Sequence, residues 1–216
     1  MTCGWRITSD PSALIQSLRR QPLLAVLRPE HLPQARQQLQ QLQQAGLLHV
    51  ELAVRLDSSW LPMARCLVEE FPGLRLGAAS VCTRAGLEAA LAAGLGYAVS
   101  PIFDPALLRQ ASAAGLTLVP GVFSPSEVAA AVRCGAPAVK LYPAASLAPG
   151  YWSSLAGPLD PLPFCIAAGG LAMADVPSWI AAGVDAVALG STLFTAHGEQ
   201  RQLQPGLPEL LQLLSS

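Results

Sequence analysis

The stretch "CGAPAVKLYPAAS" (134–146) holds the only lysine of this 216-residue chain; every other basic side chain among the thirteen is an arginine. Lys140 sits between Val139 and Leu141 in a short apolar run that reads as a buried strand. Side chains alternate along a strand, so Ala138, Lys140 and Tyr142 share one face, and Val139 and Leu141 the other. Desolvation disfavours an ammonium and lowers its pKa. A neutral amine is the nucleophile that forms a Schiff base with a ketone. A structural lysine paired with a carboxylate is the alternative, but a chain that prefers arginine has a better ion-pairing residue to hand.

A second cluster is "HVELAVR" (49–55). Glu51 and Arg55 are four residues apart, hence on one strand face if the strand runs that far, with the small Ala53 between them. A carboxylate facing Lys140 can move protons, and a guanidinium can grip a substrate carboxylate with two parallel bonds. The plainer reading is a Glu–Lys core salt bridge with Arg55 in solvent. Glycines form the third group. Gly169 and Gly170 in "AAGGLAMADV", and Gly190 with Ser191 in "ALGSTLF", lie in loops whose backbone N–H groups could cradle a phosphate. Glycine is also ordinary turn chemistry there.

The elements that must position these groups show a repeat. A helix-like segment ends in a small residue and glycine, then a short apolar run follows, at 43–54, 92–101, 113–121, 133–143 and 181–191. Glycine past a helix end turns the chain back, and a nearly all-apolar run suits a parallel strand covered on both faces. Further strands at 22–28, 74–79 and 162–167 make eight. Helices are expected near 31–45, 59–71, 83–93, 104–114, 125–134 and 175–182, with a short one around 151–156. A leading helix at 11–20 and a final one at 206–214 flank a barrel over about 22–195. Residues 1–216 thus read as one (β/α)8 domain; a doubly wound open sheet is the rival. Barrel active sites lie at the C-terminal strand ends. That criterion adds Arg28, Ser80 and Pro101 to the candidates.

Composition narrows the classes. Hydrophobic residues make up 52% and charged ones 12% of the chain, so the apolar surplus must fill a large core or an interface. The net charge of −1 offers no footprint for nucleic acid. No apolar run reaches the roughly 18–20 residues of a membrane span. "MTCGWRITSDPSA" lacks the order of a secretory signal, and a cytoplasmic protein is expected. Five cysteines without CxxC spacing read as reduced thiols, and three scattered histidines suggest no metal site.

Taken together, these motifs resemble the 2-keto-3-deoxy-6-phosphogluconate (KDPG) and 4-hydroxy-2-oxoglutarate aldolases, which are class I enzymes. "HVELAVR" is similar to that family's Glu-x-x-x-Arg strand, whose Glu is the acid/base and whose Arg holds the pyruvyl carboxylate. "LGAASV" is similar to its Gly-Ala-Gly-Thr-Val, "AVSP" to its Ser-Pro and "VPGVFSPSE" to its Pro-Gly segment. "AVKLYPA" is similar to its Val-Lys-Phe-Phe-Pro-Ala, which carries the Schiff-base lysine. The resemblance implies Lys140 and Glu51 as catalytic residues, with Arg55 and Ser80 on the carboxylate. It implies Pro101, Gly169, Gly170, Gly190, Ser191 and Arg28 as further substrate-binding positions, no cofactor, a small 2-keto acid as partner and a homotrimer.

Two departures are visible. Ser80 replaces the usual Thr, and "AAGG" replaces Pro-Thr-Gly-Gly, which puts Ala168 where a threonine hydroxyl faces substrate. A branch acting on 6-phosphogalactonate derivatives also lacks that Thr and carries an arginine like Arg28, yet lacks the Arg55 counterpart. Cleavage of KDPG to pyruvate and glyceraldehyde 3-phosphate, with 4-hydroxy-2-oxoglutarate as a further substrate, is the expected activity. The phosphogalactonate reaction and a non-catalytic sugar-acid or phosphate binder are the alternatives, and a phosphosugar synthase or epimerase is a third.

Overall fold

The computed structural model describes residues 11–197 and 200–215. The first ten residues of the expected domain, Cys3 included, lie outside them. Nine parallel strands are present among the described residues: β1 (Leu23–Leu27), β2 (His49–Ala53), β3 (Arg75–Ala79), β4 (Ala98–Val99), β5 (Leu118–Val119), β6 (Gly121–Val122), β7 (Ala138–Leu141), β8 (Phe164–Ala168) and β9 (Ala186–Leu189). Their hydrogen-bonded order is β5-β4-β3-β2-β1-β9-β8-β7-β6.

The two ends of that order, β5 and β6, are separated in the chain by Pro120 alone. They are halves of one strand, and the sheet closes on itself with eight strand positions. The break has a simple cause, since proline has no N–H to give to a ladder. The Pro120 carbonyl still accepts from the Lys140 N–H at 2.8 Å, while the Gly121 N–H turns to the Ile102 carbonyl at 3.1 Å. The fold is a (β/α)8 barrel, and the open-sheet rival is excluded.

Helices α1 (Pro11–Arg20), α2 (Leu32–Gln44), α3 (Trp60–Glu70), α4 (Arg84–Ala92), α5 (Pro105–Ala113) and α6 (Pro125–Arg133) match the expected segments. Their starts are chemically marked. The Asp104 carboxylate accepts from the N–H groups of Ala106 and Leu107, and Ser124 and Glu127 close a capping box on α6. The glycine after α2 takes φ 88°, a left-handed geometry only cheap without a Cβ, which sends the chain into β2. The expected helix at 151–156 is two single turns, α7 (Tyr151–Ser154) and α8 (Ala156–Leu159). Helices α9 (Val176–Ala181) and α10 (Leu207–Leu214) complete the set.

One element was unexpected, an antiparallel pair of β10 (Phe194–His197) and β11 (Gln200–Leu203). It is tied to α2 by one amide. Gln41 Nε2 donates to the Arg201 carbonyl at 3.0 Å, and Gln41 Oε1 accepts from the Leu203 N–H at 2.6 Å. A mostly polar segment held by a side chain from a distant helix carries no alternation to read.

Two cores form, one on each side of the strands. Val50, Leu52, Val139 and Leu141 pack outward against the helices. Ala53, Ala79, Ala138, Ala168, Ala186 and Ala188 face inward, with Leu14 and Leu18 of α1 joining the same inner cluster. Leu24, Val26, Val99, Val119, Phe164 and Ile166 share the inner face, while Ala53, Ala79 and Ala168, each the last residue of its strand, leave width at the C-terminal ends.

Closure also fixes one residue type. A Cβ on Gly121 would sit 2.3 Å from the Pro101 carbonyl carbon and 2.4 Å from its oxygen, both backbone atoms. Gly121→Ala is expected to cost about 1–3 kcal/mol, the range of overpacking, and the shift in urea midpoint at unchanged slope measures it.

Candidate active site

Alternation puts His49, Glu51 and Ala53 on the inner face of β2 and Ala138 and Lys140 on the inner face of β7, as their outward neighbours show. Lys140 is 6% exposed and Glu51 is fully buried. Burial lowers the Lys140 pKa; the Glu51 carboxylate opposes that shift and the Arg28 guanidinium adds to it. The same burial pushes Glu51 up to about 7, against the pull of Lys140 and Arg28. Both Glu51 oxygens are buried without a hydrogen-bond partner among the described residues. A buried carboxylate with nothing to accept from is costly, so this one is poised to meet water or a ligand.

Lys140 opens into a cavity of about 190 Å³ lined by Arg28, Tyr142, Ala168, Gly169, Gly170, Gly190, Ser191 and Thr192, among others. The Lys140 ammonium position lies 5.1 Å from the centre of the Tyr142 ring. That ring needs Gly169, where a Cβ would come within 2.7 Å of it. Ser80 follows β3 with φ 60°, a conformation uncommon outside glycine, and its hydroxyl accepts from Arg28 Nη2 at 3.5 Å. A larger cavity, about 360 Å³, lies at the other end of the barrel between Leu108, Thr117 and Pro137, without a buried ionisable side chain in its lining.

The combination of a buried amine, a partnerless carboxylate and a glycine-walled cleft at the C-terminal strand ends has counterparts among known proteins. The family model "KDPG and KHG aldolase" matches residues 14–204. The chain belongs to that family. It is 29% identical over 184 residues to a probable 2-dehydro-3-deoxy-6-phosphogalactonate aldolase of Rhizobium meliloti, covering 84% of this chain and 87% of that protein. It is 35% identical over 137 residues to a 2-dehydro-3-deoxy-phosphogluconate aldolase of Pseudomonas aeruginosa, covering 63% and 61%. The KDPG aldolase of Legionella pneumophila shares the fold, with a TM-score of 0.77 at 24% identity over 96% of this chain and 98% of that one. Aldolase relatives of this breadth make the chain a member of a lyase family.

Against this family background, the structure brings most of the sequence candidates together. Lys140, Arg28, Gly169, Gly170, Gly190 and Ser191 line one cleft, with Ser80 bonded to Arg28. Pro101 stands at the mouth of β4 against Gly121. Arg55 is engaged elsewhere: β2 ends at Ala53, and Arg55 pairs with Asp57 at 2.8 Å. It also donates to the Pro29 and Glu30 carbonyls and to the Ser59 hydroxyl. It therefore grips the loop that directly follows Arg28. Thr192 and Arg201 are among the lining residues that the sequence did not mark. Thr192 donates to the Leu171 carbonyl at 2.8 Å and so joins the Gly-Gly loop to the loop after β9. Arg201 of β11 reaches an adjoining cavity of about 90 Å³ beside Arg28, Gln38 and Ser191.

The raised Glu51 pKa has a consequence for stability. Between the ordinary carboxylate range and about 7 the folded chain holds a proton at Glu51 that the unfolded chain has lost. Stability then falls as pH rises through that window. Glu51→Gln lacks this contribution. Its stability relative to the native chain is expected to improve steadily from pH 5 to pH 8, read as urea midpoints at successive pH values.

Proposed function

We propose that this chain is a class I aldolase. It cleaves a 2-keto-3-deoxy-6-phospho sugar acid of the KDPG type to pyruvate and glyceraldehyde 3-phosphate through a Schiff base on Lys140. The observation that carries this is the lone lysine, buried on the inner barrel face with its pKa lowered, coupled to a buried carboxylate that lacks a protein partner.

The steps follow from those two groups. The Lys140 amine adds to the C2 ketone, and loss of water leaves an iminium as electron sink. Glu51, as carboxylate, takes the C4 hydroxyl proton while the C3–C4 bond breaks. Its electron pair moves into the iminium to give an enamine, and the C4 aldehyde departs. Glu51 returns the proton to C3, and water hydrolyses the iminium to pyruvate and free Lys140. No electron leaves or enters, and no dissociable cofactor is called for. A Glu51 pKa of about 7 suits both halves of that cycle, because the group must accept and then donate near neutral pH.

Substrate binding divides between the two arginines. Arg28, coupled to Lys140 and bonded to Ser80, holds the carboxylate next to the imine. Arg55 acts through the loop that presents Arg28, and Pro101 shapes the wall beyond β4. Gly169, Gly170, Gly190 and Ser191 receive the distal phosphate through backbone and hydroxyl donors. The arginine at position 28 and Ala168 in the cleft favour keeping the phosphogalactonate substrate as a second reading, with 4-hydroxy-2-oxoglutarate as a shorter one. A cytoplasmic homotrimer is part of the same proposal. Exposed Leu56, Ile102 and Phe123, in the loops after β2, β4 and β6, supply apolar surface for subunit contact.

Borohydride treatment in the presence of pyruvate tests the mechanism. A pyruvyl-derived mass increment on the Lys140 peptide, absent in Lys140→Met, is expected. A folded protein that gains no adduct leaves only the sugar-acid-binding reading. A panel of KDPG, its galacto epimer and 4-hydroxy-2-oxoglutarate then ranks substrates.

The division of labour between arginines is tested by the same adduct. Arg28→Ala is expected to raise the half-saturating pyruvate concentration by roughly 10–100-fold, the worth of a charge-assisted pair. Arg55→Ala is expected to raise it less. The reverse order would return the carboxylate to Arg55.

A further inference from the structure

Deeper in the barrel than the cleft lies a tyrosine that the reaction as drawn does not use. Tyr97 immediately precedes β4, is 1% exposed, and belongs to the inner cluster with Ala53, Ala79 and Val99. Gly77 makes room for it. A Cβ at Gly77 would lie 2.4–2.6 Å from three ring carbons of Tyr97. Gly77 is also the register partner of Glu51 across the β2–β3 ladder. The ring therefore packs over the strand position beside the carboxylate, and the Glu51 charge acts on the phenol.

Like both Glu51 oxygens, the Tyr97 hydroxyl is buried without a hydrogen-bond partner among the described residues. One buried orphan is an ordinary imperfection, worth roughly 1–3 kcal/mol. Here the Tyr97 hydroxyl, both Glu51 oxygens and, two residues before Glu51 on the same strand face, His49 Nδ1 are buried orphans in an otherwise apolar interior. Of these, the hydroxyl is a donor and the two carboxylate oxygens are acceptors. They are chemically complementary, and buried polar groups of this kind are bridged by ordered water. Filling space alone would need only the ring.

Building on the aldolase reading above, we infer that Tyr97 is a positioning residue for Glu51, its hydroxyl donating to the carboxylate through a single ordered water. The bond holds the carboxylate in one orientation through both proton transfers and favours its ionised form. Other groups that act on the pair are accounted for. Lys140 on β7 and Arg28 after β1 favour the Glu51 anion, and burial opposes it. Arg75 on β3 acts on the phenol, while His49, two residues before Glu51, is bonded to Ser17 Oγ at 2.8 Å and held neutral, its pKa down at about 3. None of these changes when the Tyr97 hydroxyl is removed.

The test is Tyr97→Phe, read by proton NMR as exchange of the pyruvate methyl hydrogens in D2O across a pH series. That partial reaction needs the imine and its acid/base but no sugar acid. The variant is expected to exchange about tenfold more slowly at saturating pyruvate, with an unchanged half-saturating concentration. The midpoint of its acidic limb is expected to rise by about half to one unit, because the ionised carboxylate loses a donor. Gly77→Ala, which keeps the hydroxyl and displaces the ring, is expected to shift the midpoint the same way. A folded Tyr97→Phe with the native midpoint overturns the inference. Absence of exchange in the native protein overturns the aldolase reading instead, so the two failures are distinct.

Discussion

One amine and one carboxylate are withdrawn from water into the same apolar barrel, and the rest of the structure answers to that. Burial disfavours charge on each, and each favours charge on the other. Lys140 is pulled below its ordinary pKa and Glu51 is pushed up to about 7, so burial draws the two toward each other. A solvent-exposed Lys–Glu pair would leave both permanently ionised and the amine useless as a nucleophile. In the proposed mechanism reactivity comes from desolvation, and the protein must therefore tolerate an interior that is less stable than an all-hydrocarbon one.

That interior is built to keep the pair dry and still reachable. Alanines on β2, β3, β7, β8 and β9 share the inner wall with Leu24, Val26, Val99, Val119, Phe164 and Ile166, and Leu14 and Leu18 of α1 pack onto the same cluster. The C-terminal strand ends stay open to the cleft. Closure of the barrel and placement of the lysine share one hydrogen bond, from the Lys140 N–H to the carbonyl of Pro120, the residue that breaks the fifth strand position. The same break presses Gly121 against Pro101. Seating the reactive amine and closing the sheet are thus one structural event.

Much of this was legible from residue order because it follows short periods. The small-residue-plus-glycine repeat marked the helix ends, and strand alternation placed Glu51 and Lys140 on the inner face. Alternation fails where the ladder stops. Arg55 was assigned to the Glu51 face on a four-residue spacing, but β2 ends at Ala53, and Asp57, two residues further on, captures the guanidinium. The link between Arg28 and Ser80 joins strands one and three through side chains fifty-two residues apart, and no local pattern encodes that. The φ of 60° at Ser80 is equally silent in a serine codon. The β10–β11 pair is tied to α2 through the side chain of Gln41, a contact between distant parts of the chain. Tyr97 drew no reading from the sequence, since its hydroxyl matters only through the packing of its ring over Gly77, the register partner of Glu51.

The division between legible and illegible parts coincides with a division of function. Groups that make the reaction possible point inward from strands, where a period of two fixes their direction. In the proposed chemistry, groups that choose the substrate sit on the rim, where tertiary contacts decide. Ala168 belongs to both regions: it ends β8 on the inner face, is 2% exposed and lines the cleft. A methyl there offers no hydrogen bond, and the neighbouring Thr192 hydroxyl is already spent on the Leu171 carbonyl. In the proposed reaction, reading of the sugar hydroxyls therefore falls on few groups, with Glu51 the one carboxylate that acts on the amine among the described residues. Under the proposed function, a site of this composition would recognise its substrate by its ends, an anion near the imine and a second anion at the glycine loops, and would leave the middle of the molecule to Glu51.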